Sequence, residues 1–441
     1  MRNATIVGCL FVAAIGSGCS FVDDFGGFTF SAADASVDGG VPIDLGPDGS
    51  AQDLGADGAV EPDLGSPDAG PVGHVVDLVA GTGFTCALFD SGRVRCWGSN
   101  ASGTLGNGDP SGPPGIAEAN PQEVIGLPGR VLQLAAGQAH VCAVVAVGAS
   151  SELYCWGDNS AGQFGAGTTS VYVSTPQRVE LDWTPRAVAA GNSFTCALDA
   201  DSSVYCAGSN SDLQLGQPSS TVSSTTFART STFGSSDATL VAGYANVCML
   251  TPGVGAACWG DGSGMQLGRT DPSDSDAPQG VGTSPVRLAI GTQHMCAVSS
   301  SNSVECWGAG VAGQLGDGVF ASSADPLVPT SGTLGFAQFI AASDYHTCAI
   351  YKPSTTAEVY CWGFNAAGVC GLGSATSNVG APRKIDTITD AVRLATGTQH
   401  ACALTGSGAV YCWGSSSYSE LGPGATAGTE SPTPVLVTGL D

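Results

Sequence analysis

The stretch Leu394-Ala395-Thr396-Gly397-Thr398-Gln399-His400-Ala401-Cys402-Ala403-Leu404, followed by Val410-Tyr411-Cys412-Trp413-Gly414 and Glu420-Leu421-Gly422, decides the fold. It reads as two short strands joined by a turn and closed by a glycine break, and it is written seven times between Val75 and Gly422. The first cysteines of the copies are Cys86, Cys142, Cys196, Cys248, Cys296, Cys348 and Cys402. Their mean spacing is about 53 residues, the length of a unit that buries its faces only against its neighbours.

The residue two places after that cysteine is apolar in every copy (Leu88, Val144, Leu198, Leu250, Val298, Ile350, Leu404). The residue one place after is Ala in six copies and Met249 in the fourth. Neighbours along a strand point to opposite faces, so this strand is apolar on both and belongs in a sheet sandwiched between sheets. Six copies follow the second cysteine with Trp, and the third has Ala207. Leu-Gly or Phe-Gly turns come next, at Gly106, Gly165, Gly216, Gly268 and Gly316. A fourth strand is expected in the spacers, opened by Pro at Pro121, Pro176, Pro382 and Pro434, because an edge strand tolerates a residue without an N–H. Four strands in each of seven units predict an all-β, seven-bladed β-propeller of four-stranded blades over residues 72–441.

The cysteines pair within units: Cys86 with Cys96, Cys142 with Cys155, Cys196 with Cys206, Cys248 with Cys258, Cys296 with Cys306, Cys348 with Cys361 and Cys402 with Cys412. Five pairs are 10 residues apart and two are 13, with the extra residues at 147–151 and 352–358, where a hairpin turn belongs. A longer turn leaves the register of facing strands intact, so each pair is expected to sit opposite across a hairpin, close enough for a disulfide. Zinc is the rival reading, but it asks for closer pairs gathered four to a site. Cys370 is left over and reads as a buried thiol, since no His or Asn stands with it in a catalytic context.

The first 18 residues carry Arg2 and a short apolar run at 4–16, which suits a signal peptide and is too short to span a bilayer. Gly16-Ser17-Gly18-Cys19 resembles a bacterial lipoprotein signal, which implies lipid on Cys19; cleavage by an ordinary signal peptidase is the alternative. Residues 19–71 read as a disordered tether: from Asp23 to Asp68 there are 11 acids and no Lys or Arg, with too little apolar material to form a core. No EF-hand-type calcium loop is written there. An oxidising location outside the cytoplasm follows, at a bacterial outer membrane or cell surface, with contact to the membrane only through the anchor.

From residue 73 onward 27 acids face 12 bases. Nucleic acid is excluded as a partner, because binding it depends on Lys and Arg displacing counterions from phosphates. His140, His294, His346 and His400 share the position two before the first cysteine, where Phe84, Phe194 and Asn246 stand in the other copies. A position that accepts Phe indicates packing with a hydrogen bond, against the alternative of a metal. No catalytic residue, metal ligand or cofactor motif is recognised in the chain. Trp183 stands outside the repeat and is either wedge packing or an interface anchor.

The run Ala-Gly-x-x-His-x-Cys-Ala-Leu, Val-Tyr-Cys-Trp-Gly, Gly-Gln-Leu-Gly resembles the regulator of chromosome condensation type repeat over residues 75–441. That resemblance implies a seven-bladed propeller acting as a protein-binding platform, and a monomer is expected. The expected function is non-catalytic binding of a protein or cell-envelope polymer, with the binding residues unassigned. Inhibition of a secreted enzyme, or a hydrolase or lyase site in the central channel, are the alternatives.

Overall fold

The computed structural model describes residues 73–109, 116–232, 237–330, 334–375 and 377–441. The signal peptide, Cys19 and the acidic tether lie outside them. The described chain forms seven four-stranded antiparallel sheets and no helix. The inner strands are Val75–Ala80, Val131–Ala136, Pro185–Ala190, Thr239–Ala242, Pro285–Ile290, Phe336–Ala342 and Ala391–Thr396. In every sheet the strands follow in sequence order from inner to outer, so each blade is one repeat.

The second strand of each blade is buried along nearly its whole length, as a strand apolar on both faces must be. Each cysteine pair stands directly opposite across the second and third strands, and the longer hairpins leave that register unchanged. A disulfide joins every expected pair. Cys86 is bonded to Cys96, Cys142 to Cys155, Cys196 to Cys206 and Cys248 to Cys258. Cys296 is bonded to Cys306, Cys348 to Cys361 and Cys402 to Cys412. Their Cα atoms lie 4.0 to 4.1 Å apart. The glycine after the Trp has a physical cause. Its φ lies between 101° and 110° in all seven blades, and a Cβ on Gly98 would stand 2.3 Å from the Gly83 carbonyl oxygen.

One expectation is corrected. The prolines do not open the outer strands; they lie inside them. The strands begin earlier, at Glu118, Ser170, Val379 and Glu430. Each of these prolines falls in a bulge opposite the Trp, where the ladder between Cys96/Gln122 and Gly98/Glu118, for example, skips a pairing. A bulged edge is a place where a missing N–H costs nothing. At the seam of the ring no strand is exchanged between blades: the last strand, Glu430–Leu436, pairs with Val410–Ser415 of its own blade. Closure is made by side chains. Leu440 and Val437 pack with Phe89 and Trp97 of the first blade, and Arg95 Nη1 donates to the Gly439 carbonyl at 2.8 Å.

Blades are joined by two recurring latches. The indole N–H of each Trp donates to a turn carbonyl of the preceding blade: Trp156 to Thr104, Trp259 to Gln214, Trp307 to Gln266, Trp362 to Gln314, Trp413 to Val369, and Trp97 across the seam to Glu420, at 2.7 to 3.0 Å. The interface that lacks a Trp, at Ala207, is filled instead by Phe164 and Phe227. Cys370 occupies the turn position held elsewhere by Leu105, Phe164 and Leu215: its N–H donates to Asn365 Oδ1 as theirs do to Asn100, Asn159 and Asn210. The free thiol is therefore a core residue, and burial pushes its pKa up.

Candidate functional site

The four histidines form the second latch. His140 Nε2 meets Thr195 Oγ1 of the next blade at 2.9 Å, His294 meets Thr347 at 2.8 Å, and His400 meets Thr85 across the seam at 2.8 Å. His346 faces Ala401 at the same position, and neither of its ring nitrogens has a partner. Where the first residue is Phe84 or Phe194, the next blade answers with Val141 or Val247. Apart from His346, the pairing is His with a hydroxyl and Phe with a methyl. All four imidazoles are fully buried; burial holds His140 and His346 down at about 4, and with the nearby His346 it holds His294 and His400 at about 3. They are neutral at physiological pH and serve the blade interfaces. Among the described residues no group of three or more His, Cys, Asp or Glu is placed to hold a metal.

Because Phe84 pairs with Gly98, the turn after the inner strand and the loop after the third strand leave each blade on the same side. One face of the ring thus carries all fourteen of these connections. Their described residues hold eight acids (Asp109, Asp212, Asp261, Asp271, Asp274, Asp317, Asp344 and Glu420) and one base, Arg269, with Asp158 at the end of a third strand beside them. The same loops carry Tyr244, Phe320, Tyr345 and Tyr418, exposed by 38%, 51%, 40% and 50%. Among the described residues only one other strongly exposed aromatic occurs, Phe336, and it opens an inner strand at the opposite side. Acids with aromatics on one rim are the makings of an interface.

At the centre of that face the seven turns converge on a mouth of about 90 Å³. Gln138, Asn192, Tyr244, Thr292, Asp344 and Thr398 line it. The turns pack so closely that a Cβ on Gly137 would lie 2.2 Å from the Gly191 carbonyl oxygen. Thr292 donates to Asp344 Oδ1 at 2.9 Å, and Thr82 and Thr398 share a hydrogen bond of 2.9 Å. Burial raises the Asp344 pKa, against the opposing effect of Thr292.

A second cleft lies on the opposite side, between the long hairpin of the second blade and the connection 181–185. Trp183 is half-buried there and stacks on Tyr205, ring centroids 4.4 Å apart, with Phe227 at right angles. Of the two readings of Trp183, the contacts are those of wedge packing. The cleft's Glu152 is held by Arg178 at 2.9 Å and by the Tyr154 hydroxyl. Glu358, Lys384 and Tyr360 repeat that arrangement in the other long hairpin, which makes it a brace for the hairpin.

These latches and loops define a seven-bladed propeller of disulfide-stapled blades. Two models of the regulator of chromosome condensation repeat match it, one over residues 75–104, 186–214 and 391–420, the other over 91–144, 150–198 and 357–404. The chain carries repeats of that type. It is 33% identical over 174 residues to the human probable E3 ubiquitin-protein ligase HERC6, covering 38% of this chain and 16% of that one. Human HERC2, also an E3 ubiquitin-protein ligase, is 31% identical over 146 residues, 32% of this chain and 3% of that one. The chain therefore spans under a fifth of either ligase. The ultraviolet-B receptor UVR8 of Arabidopsis thaliana is 26% identical over 380 residues, 84% of each chain. Among solved structures, human WBSCR16 superposes with a TM-score of 0.69 at 20% identity, over 78% of this chain and 94% of that one. Prp20p of Saccharomyces cerevisiae gives 0.69 at 20%, over 83% and 88%. Identity at that level shows the fold alone.

Proposed function

We propose that this protein is a non-catalytic protein-binding propeller, displayed outside the cytoplasm on a lipid anchor at Cys19, and that it takes a basic protein partner on its acidic loop face. The observation that carries the reading is the concentration of eight acids, one base and four exposed aromatics on the fourteen connections of one face. Loops on a rigid scaffold are where recognition concentrates, and Tyr supplies large contact area at small entropic cost. Prp20p, a protein of this fold, binds Gsp1p and histones, which are protein partners. A hydrolase or lyase in the channel gains no support from a mouth lined by a single carboxylate, with the imidazoles sealed behind it.

Seven disulfides are compatible with an oxidising extracellular location. Non-reducing peptide mapping of secreted protein yields, on this reading, seven links within blades and a free thiol at Cys370. Palmitate labelling abolished by Cys19→Ser marks the anchor. The binding face is tested by capture from native envelope extract. The wild-type propeller retains a partner that the Tyr244→Ser/Tyr345→Ser/Tyr418→Ser variant releases; equal capture by both refutes the face.

A further inference from the structure

The axial mouth is built for one kind of group. Its rim is made of uncharged hydrogen-bonding side chains, and Asp344 is the one carboxylate among its described lining residues. Thr292 satisfies one oxygen of Asp344, and no Lys or Arg is among those lining residues. A carboxylate drawn partly out of water with a hydroxyl donor and no cation is half of an ion pair. The mouth, about 90 Å³, is ringed by close-packed turns and admits the end of an alkylammonium chain.

We propose that the mouth receives one lysine side chain of the protein partner, its ammonium set against Asp344 and hydrogen-bonded to the amide and hydroxyl oxygens of the rim. The proposal rests on the loop face being the binding face. Lysine fits better than arginine, because an ammonium is a compact point charge whose three rotatable donors suit the scattered amide and hydroxyl oxygens around Asp344, whereas a guanidinium is a rigid planar fork. The acids of the surrounding loops draw a cation toward the axis. Tyr244 on the rim is an aromatic surface for the ammonium and its methylene stem.

The test titrates Nα-acetyl-lysine methylamide into the full chain, followed by ligand-observed NMR. Asp344→Asn, which keeps an acceptor for Thr292, is expected to weaken binding by about tenfold or more. Acetylation of the probe's Nε abolishes binding, and Asp201→Asn, an exposed acid in a turn on the opposite side of the ring, leaves it unchanged. Melting temperatures confirm that both variants fold. Equal binding by wild type and Asp344→Asn overturns the proposal, as does equal weakening by Asp201→Asn. Partner capture separates this site from the face. Should the tyrosine variant lose the partner while probe binding ignores Asp344, the face stands and the lysine site falls. Should probe binding depend on Asp344 while the tyrosine variant captures all that wild type does, the site stands and the face falls.

Discussion

The His–Thr latch is a residue-scale device with one broken copy, at His346 and Ala401. Ala401→Thr supplies the missing hydroxyl and is expected to stabilise the protein by about 1 kcal/mol, whereas Thr195→Val strands His140 Nε2 and costs about 1–3 kcal/mol. Thermal denaturation of the two variants reads both signs. The latch also sets a pH dependence. An unfolded imidazole titrates near 6.5, while folded His140 is held at about 4, so the unfolded state binds the proton first. Stability is then full above about pH 6.5 and is lost progressively as the pH falls toward 4. His140→Phe/Thr195→Val copies the Phe84/Val141 pairing of this same ring and removes one such proton. Its melting temperature should fall less steeply over that window than the wild type's; an identical slope contradicts the assignment. The packing role of these histidines was legible because Phe replaces them in two repeats. Their partner was not, since the Thr that answers each lies one repeat further on and no local spacing connects them.

At the scale of the element, the strands and the cysteine register were written plainly, because period-two apolarity on both faces and a turn-tolerant spacing have few other solutions. Cys206, Cys258, Cys306 and Cys361 each meet the cysteine that their spacing assigned, whether 10 or 13 residues away. The turn at Cys370 was missed. Its cysteine hid the equivalence to Leu105, and the shared signal was the Asn five residues earlier, Asn100 and Asn365, whose side chain accepts the turn N–H. The prolines misled by a few residues because a bulge and a strand start satisfy the same constraint. The second-to-third blade interface shows how volume is conserved when one element departs from the repeat. Ala207 stands for Trp, and Phe164 stands for Leu on the facing turn. Ala207→Trp alone overfills that space and is expected to destabilise by about 1–3 kcal/mol. Adding Phe164→Leu, the residue of the other turns, should recover most of the loss. Additive destabilisation in the double variant, measured by denaturant unfolding, would show that the two sites do not share the space.

On the scale of the whole molecule, the ring is seven self-contained blades sealed at one seam. Removing residues 437–441 leaves the last strand in place but deletes Val437, Leu440 and the Arg95 acceptor Gly439. Losing two buried aliphatic side chains costs about 3–6 kcal/mol. A seam opened this way should lower the melting of the entire array as one transition, whereas a loss confined to the last blade appears as a separate early step. The architecture was legible from the repeat. The face was not, because the acids and tyrosines that compose it are scattered over separate turns and spacers and only the alternating strand direction gathers them. The claim that this face binds is tested most directly by hydrogen exchange on the captured complex. The account predicts slowed exchange in the turns 243–245, 291–293 and 343–345 and in the loop 415–422, around the axial mouth. Protection confined to the opposite side, at 125–130 and 180–184, would contradict it.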